Sequence, residues 1–209
     1  MPTPIYHITH LNNLPLILQH GRLYCNSQRA QLGIQHINIA HQTIQDRRAA
    51  TRVPLPPGGV LHDYVPFYFA PRSPMLYVIH RGNVEGYTDG QFPILHLVST
   101  AEAVQTDGLP FVFTDGHAIK AYTTFYNALT DLDKVDWQIM RAHYWHDTVE
   151  DGDRLRRRNA EFLVHESVPW TMVDEIGVME SEIAEKVTRL LASQAHRPAV
   201  ALRKDWYYY

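Results

Sequence analysis

Gly58-Gly-Val-Leu-His-Asp-Tyr-Val-Pro-Phe-Tyr-Phe-Ala-Pro-Arg-Ser-Pro-Met-Leu76 is the stretch on which the fold turns. Its two glycines close a rigid turn that begins at Pro54. Val65–Ala70 is β-branched and aromatic, the composition of a strand. Pro66 has no amide hydrogen to donate, which restricts that strand to a sheet edge or places the proline among its first residues. A helix then runs from Ser73 to His80, with Pro74 at the first helical position, where a missing N–H does no harm.

Working outward, Pro4–Ile8 reads as the first strand. Asn12 or Asn13 caps a helix whose apolar residues Leu14, Ile17 and Leu18 recur at helical spacing. Gly21 supplies the left-handed residue that ends it. Residues 22–45 show no clear period and form a loop longer than the usual connection, which marks it as functional. A short helix covers Gln42–Ala50. Downstream, Pro93–Ser99 and Pro110–Thr114 are strands, and Asp115 caps a helix to about Leu129. Residues 131–158 are polar, charged and aromatic with a weak helical period. Glu161–His165 and Val173–Met179 are strands, Ser181–Gln194 is an amphipathic helix with Ile183, Val187, Leu190 and Leu191 on one face, and Trp206–Tyr209 closes the sheet as a last strand. Strands that do not alternate strictly with helices indicate an α+β fold rather than a doubly wound sheet. Neither a G-x-G-x-x-G nor a Walker motif is present, so a dinucleotide would be held by another architecture.

The 209 residues suit one domain spanning 1–209, and 45% hydrophobic with 20% charged residues is a globular composition that excludes disorder. Cys25 is the single cysteine, so no intramolecular disulfide forms, as in a reducing compartment. No apolar run reaches the ~18 residues that span a bilayer. The first residues lack the basic start and apolar stretch of a signal peptide, and a cytoplasmic protein is expected. The net charge of −3, with 13 histidines neutral, does not fit a protein that wraps duplex DNA by charge. Contact with nucleic acid would be local, a short basic groove with stacking rings, which suits a single strand; 12 tyrosines and 4 tryptophans supply the rings. With no H-E-x-x-H and no Cys/His set at ligand spacing, no metal is expected.

On the residues alone, Glu161 opens an apolar strand and is either a strand-end surface charge or a functional carboxylate. Arg47, Arg48 and Arg52 are either a solvated cluster or an anion site. Three segments decide between these readings: Ile8-Thr-His-Leu-Asn-Asn-Leu14 followed by Ile17-Leu18 and Gly21; Gly58 to Leu76; and Asn159-Ala-Glu-Phe-Leu-Val164. With Pro110-Phe-Val-Phe-Thr-Asp-Gly-His117 and Asp136-Trp137, they make nearly the whole chain resemble the DarT-type DNA ADP-ribosyltransferases.

The resemblance implies an ADP-ribosyltransferase (PARP-like) fold, a split, mostly antiparallel sheet with flanking helices and NAD as substrate in the cleft. It implies transfer of ADP-ribose to a base of single-stranded DNA, thymine in one branch and guanine in another. The protein would be the toxin of a pair whose antitoxin carries a macrodomain. Transfer to RNA or protein is the alternative. Glu161 would face the nicotinamide ribose and stabilise the oxocarbenium-like state at C1′. Arg48 would lie on the acceptor side of the cofactor, stabilising a deprotonated base, since a guanidinium is itself a poor base. A loop at about 22–52 would bind NAD. His10 (with His7 as rival), Leu11, Asn12, Gly21, Ser27, Arg48, Tyr68 and Met75 would form its wall; Tyr68 and Met75 either stack there or pack in the core. Residues of about 115–160 would form the substrate loop, with Arg47, His117, Tyr144 and Arg154 contacting the DNA strand.

Overall fold

The computed structural model describes residues 2–209. Strand β1 (Pro4–His10) leads through a 3-10 turn into α1 (Leu14–His20), which Gly21 ends at φ 64°. There follow β2 (Arg22–Tyr24), α2 (Asn26–Leu32), α3 (Gln42–Ala50), β3 (Tyr64–Tyr68) and α4 (Pro74–His80). Next come β4 (Ile94–Thr100), α5 (Ala101–Thr106), β5 (Phe111–His117), β6 (Phe125–Tyr126), α6 (Trp137–Arg141) and α7 (Arg154–Arg158). The chain ends with β7 (Ala160–His165), β8 (Ser167–Pro169), β9 (Glu175–Val178), α8 (Ser181–Leu191) and β10 (Ala199–Leu202). One eight-stranded sheet runs β10-β9-β4-β1-β3-β7-β5-β6, antiparallel except for the β9–β10 pair.

Pro66 splits this sheet. It sits inside β3, between β1 and β7, and pairs with Leu163 on the β7 side. Its carbonyl faces β1, where it accepts from Nδ1 of His7 at 2.8 Å. In an antiparallel strand a residue's N–H and C=O point the same way, so the donor that proline lacks is missing on the β1 side. There β1 and β3 meet at a single register pair, Tyr6 with Tyr68, whereas β1 and β4 pair along their full length. The expected edge position is thus corrected: the proline stands at an internal parting of the sheet.

On one side of this parting, β7 is buried on both faces. In β7, Phe162 and Val164 join the main core with Phe111 and Phe113, while Leu163 joins a second cluster with Val112, Leu61 and Tyr64. By the two-residue period of a strand, Glu161 shares the face of Leu163. Helix α8 buries Ile183, Val187 and Leu191 as its spacing predicts, with Leu190 only partly covered.

Four local expectations are corrected. Neither asparagine side chain caps α1: His10 accepts from the Asn12 N–H, and the Asn13 amide clasps the backbone of Ile37 instead. Residues 22–45 are not all loop, since β2 and α2 lie within them. Asp115 starts no helix; it lies within β5, where its carboxylate accepts from the Thr124 N–H and pairs with Arg156. Trp206–Tyr209 adds no strand. The sheet closes on β10, and Tyr207 is driven into the core, donating to the carbonyls of Ile94 and Gly177. Among the described residues, no helix is long and apolar enough to cross a membrane.

The tail docks where β9 has no side chain. A Cβ on Gly177 would stand 2.4 Å from the Trp206 ring. Gly177→Ala is therefore expected to destabilise the protein by about 1–3 kcal/mol through overpacking, read from urea unfolding, whereas Ala201→Gly on the exposed edge strand should change stability by less.

Candidate active site

A cavity of about 520 Å³ opens where the sheet parts, a size suited to a small-molecule ligand. Its walls come from β1, the segment from Tyr24 to Arg48, β3, the start of α4, the turn after β5 and the region of α7. At its base Glu161 of β7, 3% exposed, meets Arg48 of α3, 8% exposed, with Nη1 2.6 Å from Oε2. Arg48 is the one buried residue of its helix, and its Nη2 is buried with no partner among the described residues.

The other carboxylate oxygen is aimed by a bulge. The β5–β7 register shifts between Phe113 and His117. Thr114 Oγ1 accepts from the Glu161 N–H and donates to the Gly116 carbonyl, which holds the bulge closed. The Ala118 N–H then donates to Oε1 of Glu161 at 3.3 Å, and Nδ1 of His117 stands 3.5 Å from the same oxygen, close enough to pair but not aligned to donate. Gly116 has no room for a side chain, because Arg156 packs against it while bonding Asp115 and Asp153. Burial pushes the Glu161 carboxyl up, but the charges of Arg48 and His117 outweigh it and hold the group down at about 2. It is ionised throughout the neutral range.

On the opposite wall stand His7 and Thr9 of β1. Burial holds His7 neutral, down at about 4. A carbonyl can only accept, so the proton is on Nδ1 facing Pro66, and Nε2 is left as an acceptor. Tyr68, paired with Glu161 across β3 and β7, has its hydroxyl pushed up by burial and by the neighbouring carboxylate, so it stays a donor.

The structure brings some expected residues to this cavity and places others elsewhere. Arg48, Tyr68, Met75, Arg47, His117 and Glu161 line it. His10 does not: it is buried beside Tyr87, with Nε2 3.2 Å from Asp89. Leu11 packs in the core, Asn12 is exposed, Gly21 caps α1, and Ser27 donates to Asp63 at 2.6 Å. Tyr144 is exposed, away from the lining, and Arg154 holds the carbonyls of Tyr144 and His146. Arg48 and Glu161, expected on two sides of the cofactor, touch each other on one wall. The sequence reading missed Thr9, Asn13 and Arg29. His7 and Thr9 share one strand face and His10 the other, so alternation narrows the choice to two sets without selecting one.

A split antiparallel sheet that buries a glutamate on a central strand, beside an arginine at the floor of a cleft, is the arrangement that the family resemblance implies for an ADP-ribosyltransferase. Residues 6–208 match the family model described as "ssDNA thymidine ADP-ribosyltransferase, DarT", and the chain belongs to the DarT family. A DNA ADP-ribosyl transferase of Thermus sp. (strain 2.9) is 49% identical over 209 residues, covering 99% of this chain and 97% of that protein. The solved Thermus sp. 2.9 DarT in complex with ADP-ribosylated ssDNA superposes with a TM-score of 0.93 at 49% identity, over 99% of this chain and 97% of that one. The same protein in complex with NAD+ gives 0.89 at 47% identity, over 99% and 98%. A transferase–glycohydrolase fusion protein of Thermosipho africanus is 28% identical over 192 residues, which are 90% of this chain and 45% of that protein.

The lowered pKa of Glu161 has a thermodynamic consequence. A carboxyl lower in the folded state than its ordinary 4.5 adds stability that is whole above that value and is lost as pH falls toward about 2. The stability gap between the protein and Glu161→Gln, from urea unfolding, is expected to be constant above about pH 5 and to shrink below it. A gap unchanged down to pH 3 would mean that the carboxylate is not held by its cationic neighbours.

Proposed function

We propose that this protein transfers ADP-ribose from NAD+ to a thymine base of single-stranded DNA, as one ADP-ribosyltransferase domain spanning residues 1–209. The buried Arg48–Glu161 pair carries the reading. The residues present suit the donor: a cavity of about 520 Å³ and a neutral acceptor at His7. The Thermus relative's complex with NAD+ supports the same donor. NAD+ supplies an ADP-ribosyl group whose C1′ becomes electron-poor as nicotinamide departs.

Glu161 presents a fixed negative charge to that carbon, oriented in advance by the Ala118 N–H and by Arg48. Both oxygens are held, Oε2 by Arg48 and Oε1 by the Ala118 N–H, so the carboxylate acts through its fixed charge. Arg48 keeps Nη2 for the acceptor, where a guanidinium favours the deprotonated form of a base nitrogen. Transfer is direct, with no covalent enzyme intermediate. Residues 22–52 hold the dinucleotide. Residues 115–160 hold the strand, with Arg47 and His117 at the cavity and Tyr144 and Arg154 on the flanking loop. A single strand avoids the few kcal/mol needed to extract a base from a duplex. In the cell the protein acts as a cytoplasmic toxin, countered by a macrodomain antitoxin that removes the mark; the Thermosipho relative, named for both activities, supports that pairing.

Incubation with NAD+ and short single-stranded oligonucleotides, read by mass, is expected to add one ADP-ribose to thymine-containing strands and none to thymine-free ones. Modification of guanine, RNA or protein alone would replace this acceptor. Glu161→Gln should lower kcat on the order of 10²–10³-fold or more, with NAD+ affinity within about threefold by calorimetry. Full activity in that variant rejects the role.

A further inference from the structure

Between α6 and α7 the chain passes through residues 142–153 without a helix or strand. This loop braces itself. Arg154 holds the carbonyls of Tyr144 and His146, and the Asp147 carboxylate accepts from the Leu155 N–H. One of its side chains turns inward. Among the described residues from 141 to 157, Trp145 alone is buried, at 3% exposed, while Tyr144 and Val149 stand in solvent. A buried indole N–H needs an acceptor, and this one donates to the hydroxyl of Tyr208 at 3.2 Å.

Tyr208 is itself fixed from three directions. The buried Gln91 amide clasps its backbone both ways, accepting from its N–H and donating to its carbonyl. Its ring packs edge-on against Tyr77 of α4, and the Arg72 guanidinium lies 4.5 Å from its centroid. Its hydroxyl donates to the Arg72 carbonyl at 2.8 Å, next to Ser73, the residue that caps α4. One phenol thus joins two walls of the cavity. Helix α4 brings Met75 and Val78 to the lining, and the loop brings Gly152 and Asp147, the latter two residues from Trp145. Tyr208 does not line the cavity, so it reaches the reaction only through what it holds. We propose that Tyr208 is a positioning residue for the acceptor strand: through the Trp145 indole it sets the loop of residues 142–153 against α4. The proposal rests on the reading above that residues 115–160 hold the strand, and it adds a residue outside that region.

Tyr208→Phe keeps the ring and removes only the hydroxyl; Trp145→Phe removes the other half of the same bond. Binding of a labelled thymine-containing oligonucleotide, read by fluorescence anisotropy, should weaken about 5- to 30-fold in Tyr208→Phe, the worth of one buried hydrogen bond. In turnover KM for the oligonucleotide should rise by a like factor, with kcat within about threefold and ADP-ribose affinity by calorimetry within about twofold. Amide exchange should quicken at residues 142–153 and stay as it was in β9 and β10, where the rest of the tail docks. Trp145→Phe should reproduce these changes, and the double variant should lose no more than either single one.

Oligonucleotide affinity within about twofold of the parent overturns the proposal, and the exchange says which part fails. A loosened loop would mean that residues 142–153 do not hold the strand; an unchanged loop would mean that Tyr208 does not hold the loop. Joint loss of ADP-ribose and oligonucleotide affinity, with quicker exchange in β9 and β10, would make the phenol a general prop of the fold and overturns the proposal as well. Additive losses in the double variant do the same. If the unaltered protein binds no oligonucleotide, the strand reading fails first and the proposal with it.

Discussion

An ion pair with both members nearly out of water, Arg48 Nη1 on Glu161 Oε2 at 2.6 Å, is the constraint around which the molecule is arranged. Desolvation costs several kcal/mol per ion, and attraction offsets it only when the geometry is good and the remaining polar atoms are bonded. Glu161 has that support: Arg48 on one oxygen, the Ala118 N–H on the other, and a strand buried on both faces to fix its backbone. Arg48 is delivered by α3, which follows a segment held at Ile37 by the two-way clasp of Asn13. The pair is therefore the meeting point of two long-range devices, a bulged strand pair and a clasped connection.

The same geometry makes the cavity. A continuous sheet would have covered the face of Glu161 with side chains of the next strand. Pro66 interrupts the ladder between β1 and β3, and the bond from His7 to its carbonyl satisfies the group left open. That bond also decides the histidine's proton, so the parting of the sheet and the hydrogen-bonding character of the opposite wall have one cause. Function here comes from a defect in pairing placed two residues from Tyr68, the partner of Glu161.

What is legible in the sequence follows from range. Pro74–His80 can be read from its Ser73 cap and Pro74, which act over one turn; Gln42–Ala50 can be read at its observed bounds although no side chain caps it. Glu161 stands out because a carboxylate at the head of an apolar strand needs a partner, and the family resemblance supplies the rest of the reading. Alternation cannot say which face of β1 meets the cavity, so the sequence favours His10 where His7 and Thr9 stand. Asp115 carries the residue type of a helix cap, yet Arg156, forty-one positions away, claims its carboxylate. The tyrosines of the tail have strand propensity, but burial of Tyr207 against His96 and Ile94 decides their place. In each case a tertiary partner overrides a local preference.

The arginine run from 154 to 158 shows how far such partners reach. By composition it is a basic patch for phosphates. In the structure Arg154 holds two loop carbonyls, Arg156 holds Asp115 and Asp153, Arg157 holds Asp136 and Asp151, and Arg158 is buried on carbonyls of residues 72, 139 and 140. Arg156 and Arg157 are paired with carboxylates and Arg158 is buried, which leaves Arg154 of this run to meet a polyanion. Among the exposed residues that line the cavity, the arginine and lysine are Arg47 and Lys120, beside the Tyr122 ring with the Arg156 guanidinium 5.3 Å from its centroid. A stacking ring and two cations outside any ion pair suit one or two nucleotides next to a base that enters the cavity, and they suit a duplex backbone poorly. The arginines spent inside the fold thus leave little cationic surface away from the cavity, in keeping with the short unpaired acceptor proposed above.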